Sequence, residues 1–418
     1  DYMVLAGTQG INNHKKLDRM IDVIRGLKVP LIFFCEGGGG RPGDVDAGDQ
    51  NIAGLNIPSF HDFARLSGEV PLVGIGSGRL FAGNAALLGC CDVIIGTRDL
   101  NLGMGGPAMI EGGGLGVYKP EEVGPTSVQY PNGVIDILVD NEDDAIVIAK
   151  KYLSYFQGNL GSWEAPEVEN LRYVIPENRL EVYDIREVID NIADIGSVLE
   201  IKAGFAKGMF TGFIRVKGKP LGLIANNPLF LAGAIDSDGA DKASRFIKLC
   251  ENYNIPILSL CDTPGMMVGP EIEETGLVRH CCRLFLAGAN VTVPMMTIVL
   301  RKAYGLGAQA MAGGSFMAPQ FVVGWPTAEI GAMGLEGAVK LGYRKELEAE
   351  SDVEKKEKLF KKLVDDLYEK GKAINAASLL EFDTVLDPIE SRDWISMVVE
   401  SPINSSEKVP KNRYIDSW

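Results

Sequence analysis

Side chains that usually do chemistry are thinly spread in this sequence, and glycine is not. The three histidines, His14, His61 and His280, all stand away from the Gly-rich turns. Each reads as a surface or helix residue and not as a general base. Neither a Gly-x-Ser-x-Gly elbow nor a P-loop occurs. Glu36 and Asp262 close two apolar runs of the same kind; a catalytic carboxylate and one capping the following turn are both open readings there. What recurs is glycine. Glu36-Gly-Gly-Gly-Gly-Arg41 follows one apolar run, and Gly83-Asn84 opens the helix-like segment after the next. Pro264-Gly265-Met266 and Gly305-Leu306-Gly307 take the same places later in the chain. Paired N–H groups beside a helix start stabilise an oxyanion, because their dipoles are fixed before the charge develops. One such loop alone reads better as a tight turn. Paired loops in both halves point instead to two oxyanion sites, and so to a reaction with two enolate-like partners and no side-chain base.

The loops belong to a larger repetition. Val29-Pro-Leu-Ile-Phe-Phe-Cys-Glu-Gly37 answers Ile255-Pro-Ile-Leu-Ser-Leu-Cys-Asp-Thr-Pro-Gly265, and Val70-Pro-Leu-Val-Gly-Ile75 answers Val293-Pro-Met-Met-Thr-Ile298. Pro30 to Pro71 is a step of 41 residues and Pro256 to Pro294 one of 38, while Arg19 and Arg245 each stand 11 residues before their proline. Leu102-Gly-Met-Gly-Gly-Pro107 answers Ile330-Gly-Ala-Met-Gly-Leu335. The period is about half the chain, too long for a solenoid, so two related domains are expected, residues 1–165 and 166–418. The Pro-broken, polar stretch 166–178 is the expected junction. Residues 2–6 read as the counterpart of 221–225. Because a further extended stretch, residues 212–220, precedes the latter, the first domain is expected to lack its N-terminal strands.

Elements that would position these turns follow from periodicity. Each half runs strand, Gly/polar loop, amphipathic helix, strand, loop, helix, strand. That order predicts an α/β fold with parallel sheets and right-handed crossovers, its reactive loops at the carboxyl ends of strands. Residues 15–26 carry Leu17, Met20, Ile21 and Ile24 at helical spacing; residues 242–252 are their counterpart. Residues 141–155 predict a helix with an acidic first turn. The Glu/Lys-rich stretch 345–372 predicts a solvated helix laced with (i, i+4) pairs.

Composition bounds the rest. Net charge is −15, from 41 Lys+Arg against 56 Asp+Glu, which argues against nucleic acid as a general partner. Gly at 50 of 418 exceeds the usual share of about 7%. The seven cysteines lack zinc-type spacing and read as reduced, buried thiols of a cytoplasmic protein. No signal peptide and no bilayer-length apolar run is seen, and neither a metal nor a membrane is expected.

At the level of motifs the chain resembles a known family. Gly83-Asn-Ala-Ala-Leu-Leu-Gly-Cys-Cys-Asp92 is similar to the helix-opening motif of the crotonase superfamily. Asn254-Ile-Pro-Ile-Leu258, Asp262-Thr-Pro-Gly265, Arg301-Lys-Ala-Tyr-Gly305 and Trp325-Pro-Thr-Ala-Glu-Ile-Gly-Ala-Met-Gly-Leu-Glu-Gly-Ala338 resemble the carboxyltransferase component of biotin-dependent acyl-CoA carboxylases. The resemblance implies two duplicated crotonase-like domains of the β-β-α superhelix type. It implies transfer of the carboxyl group from N1-carboxybiotin to the α-carbon of an acyl-CoA, as part of fatty acid metabolism. Biotin, freed by loss of CO₂, would take the α-proton, which accounts for the missing base. Gly83 and Asn84 are implied to hold the thioester oxygen, and Leu306 and Gly307 the biotin ureido oxygen. Gly39 and Gly40, and Gly265 and Met266, join them as supporting amides by the duplication; Arg41 is a further substrate-binding candidate.

Departures from the family pattern bear on the substrate. Asn84 and Leu306 stand where the family more often has Gly, and Gly40 where Ala is common; backbone amides survive these changes. Gln309 stands where acetyl- and propionyl-type members carry Asp, which makes it a candidate selector of the acyl group. Residues 34–44 look more like fused, single-chain carboxylases. Biotin carboxylase and a biotin carboxyl carrier, on the same or separate chains, are the implied partners. A homo-oligomer is implied too, a hexamer with its active sites at dimer interfaces, in the cytoplasm or the mitochondrial matrix. A decarboxylase subunit feeding a sodium-pumping membrane complex and a non-catalytic scaffold are the competing readings.

Overall fold

The computed structural model describes residues 2–41, 43–44, 55–400 and 414–418; Pro42, within the 34–44 run, lies outside them. The chain divides into two compact units, one of Asp1–Gln157, Glu200–Ala206 and Glu407–Trp418, the other of Gly158–Leu199 and Lys207–Ser406.

Unit one comprises α1 (Ile11–Leu27), β1 (Leu31–Gly37), α2 (Ser59–Ala64), β2 (Leu72–Phe81), α3 (Gly83–Gly89), β3 (Val93–Thr97), β4 (Asn101–Gly103), β5 (Ile137–Val139) and α4 (Glu142–Ser154). Its sheet has the order β1-β2-β3-β5, with β4 also on β2, and every pair is parallel. Ile21 and Ile24 of α1 bury against Phe63, Leu66, Leu72 and Leu87. Met20, expected on the same face, is 48% exposed. The acidic-headed helix forms as the sequence predicts: Asn141 Oδ1 accepts from the Asp144 amide at 3.0 Å, which satisfies one orphan donor of the first turn.

Unit two comprises α5 (Ile185–Ile192), β6 (Met209–Val216), β7 (Lys219–Asn226), α6 (Ser237–Asn252), β8 (Ile257–Thr263), α7 (Leu277–Ala289), β9 (Met295–Tyr304), α8 (Gly305–Met311), β10 (Phe321–Gly324), β11 (Glu329–Gly331), α9 (Leu335–Gly342) and α10 (Val353–Gly371). β6 and β7 are an antiparallel hairpin turned by Lys217 and Gly218 at φ 52° and 76°, the left-handed pair that a two-residue hairpin loop requires. From β7 onward, β7-β8-β9-β10 pair in parallel, as do β9 and β11. Phe210, Ile214, Leu223, Leu258, Leu260, Ile298 and Trp325 form the main core.

Three expectations need correction. Residues 166–178, expected at the junction, lie inside unit two, which begins at Gly158 and buries Leu171 and Ile175 in its core. Helix 345–372 is interrupted: Arg344–Ala349 ends, Asp352 caps a new start by accepting from the Lys355 amide, and α10 runs from there. The third concerns the start of unit one. Leu5-Ala6-Gly7 is no strand but a left-handed turn at φ 51°, 55° and 64°, and Leu231-Ala232-Gly233 repeats it at 50°, 52° and 86°. Residues 5–7 thus correspond to 231–233, not to the strand 221–225. The two are the same tripeptide, Leu-Ala-Gly, but Leu and Ala do not advertise positive φ, so the repeat did not read as a turn.

Each unit also repeats one irregularity. Between Cys35 and Gly37 of β1, β2 advances from Gly76 to Leu80; between Cys261 and Thr263 of β8, β9 advances from Val299 to Ala303. Such a bulge bends a strand and re-aims its end. The far ends of β2 and β9 thereby pair with β4 and β11 and lead directly into α3 and α8.

Candidate functional site

In unit one the turn at residues 5–7 seats the glycine-rich loop. A Cβ on Gly7 would stand 2.8 Å from Gly37 Cα, and Gly37 is itself at φ 91°. Beyond it the Gln9 amide donates to Gly39 O at 2.8 Å, and the Arg41 amide to Gln9 O at 2.7 Å. A Cβ on Gly39 would lie 2.7 Å from Ala82 Cβ and 3.1 Å from Gly83 N, so Gly39 is placed against the opening of α3. Ala82 turns the chain into that helix at φ 54°, ψ −122°, a conformation that costs on the order of 1–3 kcal/mol and persists only when its surroundings enforce it. Gly83 and Asn84 are the first residues of α3, whose N–H groups have no intrahelical acceptor. Among the described residues nothing else takes them up, nor the amides of Gly39 and Gly40.

Asn84 does more than carry an amide. Its Nδ2 faces Gly7 O at 3.1 Å, Glu36 O at 2.9 Å and Gly38 O at 2.6 Å, and its Oδ1 accepts from Gln9 Nε2 at 2.7 Å. One side chain therefore ties the left-handed turn, the end of β1 and the glycine loop to α3. Sequence reasoning missed this, because an Asn in an apolar helix opening shows nothing of its partners. Arg41 is also turned inward: its guanidinium donates to Thr8 Oγ1 and O at 3.2 and 2.9 Å and lies 3.6 Å from Asp44. It staples the loop and is not held free for substrate.

Unit two builds the same turn with different side chains. Ile235 N donates to Gly265 O at 3.1 Å and Met267 N to Ile235 O at 2.8 Å, matching the Gln9 bonds. Gly305 at φ 54° takes the place of Ala82, and Leu306 and Gly307 follow it in α8. Where Asn84 has a side chain, Gly307 has none, and a Cβ there would stand 2.7 Å from Gly265 Cα and C. The Gly265 amide donates to Thr263 Oγ1 at 3.2 Å, so it is engaged inside the turn. As a supporting donor only Met266 remains on that side.

Asp262 is a structural carboxylate. Fully buried, it accepts from Tyr183 Oη at 2.8 Å, Arg301 Nε at 3.1 Å and the Lys302 amide at 3.1 Å. It thereby clamps the bulge of β9. Its counterpart Glu36 is exposed and accepts from the Tyr2 amide at 3.1 Å. Tyr304, the last residue of β9, bonds Glu329 of β11, and burial pushes both groups up from their ordinary pKa.

Beside Leu306 opens a cavity of about 890 Å³, lined by Gln309, Phe316, Met317, Leu335 and Leu367 among others. Gln309 and Leu306 are both exposed toward open space. Leu367, Lys370 and Gly371 come from α10, so the helix read from sequence as a solvated face also walls the cavity. The histidines stay apart. His14 is buried against Ser59, His280 pairs with Asp241, and His61 lies at the surface beside Asp62. Burial raises the thiols of Cys35, Cys91, Cys250 and Cys261, and no disulfide forms. Among the described residues no three His, Cys, Asp or Glu converge as metal ligands, and no helix is long and apolar enough to cross a membrane.

Two half-sites of the same geometry, each an amide pair at a helix opening fed by a bulged strand, invite comparison with known proteins. The carboxyl transferase domain family matches residues 1–414. The methylmalonyl-CoA carboxyltransferase 12S subunit of Propionibacterium freudenreichii subsp. shermanii is 32% identical over 99% of this chain and 79% of its own. Its solved relative, a transcarboxylase 12S hexamer with methylmalonyl-coenzyme A bound, superposes with a TM-score of 0.83 at 31% identity, over 96% of this chain and 77% of that one. A single-chain, multi-domain long-chain acyl-CoA carboxylase superposes with a TM-score of 0.89 at 54% identity over 95% of this chain. The chain spans 39% of that protein. Its mixed α/β architecture with parallel sheets is the crotonase-like fold of these neighbours. The chain belongs to the carboxyl transferase domain family, as a carboxyltransferase of the biotin-dependent acyl-CoA carboxylase type.

Proposed function

We propose that this chain carries the carboxyl group from N1-carboxybiotin to the α-carbon of an acyl-CoA with an apolar chain longer than propionyl. The observation that carries the reading is the duplicated amide pair, Gly83 with Asn84 and Leu306 with Gly307, in turns that tertiary contacts hold in place. The first pair faces the thioester oxygen and stabilises the enolate that forms on it; the second faces the ureido oxygen of biotin. A ureido oxygen accepts two N–H bonds, and the apolar cavity beside Leu306 suits a fused ring on an aliphatic arm, so these residues fit biotin. Biotin supplies the labile carboxyl group. The protein supplies orientation and fixed dipoles, with Gly39, Gly40 and Met266 as flanking amides.

The acyl group is read from Gln309, whose uncharged side chain supports a long chain, because a carboxylate beside apolar atoms costs far more than an amide. The 54% identity to a long-chain acyl-CoA carboxylase points the same way. The assembly follows: biotin carboxylase and carrier domains deliver the carboxyl group, and the chain works in a hexamer with each site at a dimer interface; the solved 12S neighbour is a hexamer. The test is a comparison of kcat/KM for acetyl-, propionyl-, octanoyl- and palmitoyl-CoA. A preference for acetyl-CoA would overturn the long-chain reading, and turnover of none of them the transfer itself.

A further inference from the structure

Gln9 stands at the Gly83 turn, and nothing in the transfer described so far uses it. A Cβ on Gly83 would lie 2.7 Å from Gln9 Oε1 and 3.2 Å from Phe60 Cζ, so the carboxamide oxygen and the ring both border the opening of α3. Hydrogen-bonding logic fixes which way the carboxamide points. The Asn84 Nδ2 faces three carbonyls, which can only accept. Asn84 therefore turns Oδ1 to Gln9, and an amide oxygen also only accepts. Gln9 must present Nε2 there, as it does at 2.7 Å, and its Oε1 is left beside Gly83. Among the described residues no donor reaches that oxygen.

A bare acceptor next to two oxyanion-stabilising amides repels the oxyanion unless a donor is set between them. In an acyl-CoA the donor covalently nearest the thioester is the cysteamine amide N–H, two methylene groups beyond the sulfur. We infer that Gln9 Oε1 accepts this N–H, with the Phe60 ring against the methylenes, so that Gln9 selects thioesters carrying an amide at that place. The inference rests on unit one being the thioester side of the site. It makes Gln9 a substrate-recognition residue that the duplication could not reveal, since its counterpart Ile235 has no polar side chain.

The test varies the substrate and the residue together in the full biotin-carrying enzyme. One acyl group is offered as its N-acetylcysteamine thioester, which keeps the amide, and as its S-pentyl thioester, which lacks it. The native enzyme is expected to favour the former in kcat/KM. Gln9→Met should shrink that preference roughly 3- to 10-fold, about the worth of one neutral hydrogen bond. General damage to the turn lowers both rates and cancels in the ratio. Gln9→Glu keeps an acceptor and should keep the preference even if its overall rate falls. An unchanged ratio in Gln9→Met, or no preference in the native enzyme, overturns the inference while leaving the carboxyltransferase reading intact. If the native enzyme carboxylates no thioester at all, that reading fails and this contact falls with it.

Discussion

Two residues in equivalent places do opposite jobs. Asn84 fills the space between turn and helix with a side chain whose NH2 faces three carbonyls; Gly307 leaves that space to the backbone of Gly265. Replacing them should fail in different ways. Asn84→Ala strips donors from partly buried carbonyls and should cost about 2–4 kcal/mol of stability, read as a lower urea midpoint. Gly307→Ala puts a methyl into main chain, so the turn must shift and the Leu306–Gly307 amides with it. Carboxyl transfer should fall ~100-fold or more, the scale for a lost oxyanion donor. At Gly83 the obstacles are the ends of Gln9 and Phe60, so Gly83→Ala should be the milder change of the two. Gln309→Asp tests the acyl group: the ratio of kcat/KM for palmitoyl- over propionyl-CoA should drop ~10-fold, since a charge beside an apolar tail must be desolvated. An unchanged ratio with activity retained means Gln309 is not the selector.

Between elements, α1 and α2 meet through a buried polar link. His14 Nδ1 lies 2.9 Å from Ser59 Oγ, which donates to Asp18 Oδ1 at 2.5 Å. Burial lowers the His14 pKa, and Asp18 only partly opposes it. The sign follows. Below an unfolded value of about 6.5 the unfolded chain binds a proton that the folded chain refuses, so stability falls as pH drops from there toward the folded value. Urea midpoints should decrease from pH 7.5 to 5.5, and His14→Gln should flatten the decrease. This is also the scale on which legibility divides. Glycine loops, the acidic-headed helix and the parallel order were readable because backbone geometry and periodicity print directly into sequence. The turns at residues 5–7 and 231–233, Asn84 and the inward Arg41 were not, because each depends on partners distant in the chain. The wall that α10 gives the cavity was hidden by its charged exposed face.

For the whole molecule, we propose that a half-site of one chain meets the other half-site of a second chain, which brings the α-carbon within near-attack distance of the carboxyl donor. The head-to-tail pairing of two chains is the arrangement we favour. It predicts complementation: subunits inactivated at Gly83 by Val, mixed with subunits inactivated at Gly307, should recover part of the native rate in hetero-oligomers. No recovery in mixed oligomers shown to form would mean that the halves act within one chain. We propose that backbone amides, with no side-chain base, move the carboxyl group. This is tested most directly by label transfer from a 2-carboxyacyl-CoA, ¹⁴C in its free carboxyl, to added biotin. Transfer is expected from the native protein and from folded His14→Gln, His61→Ala, His280→Gln protein at a rate within a few-fold of native, and its loss is expected in Gly307→Ala. Loss of transfer in the folded triple-histidine protein, with Gly307→Ala still active, would contradict it.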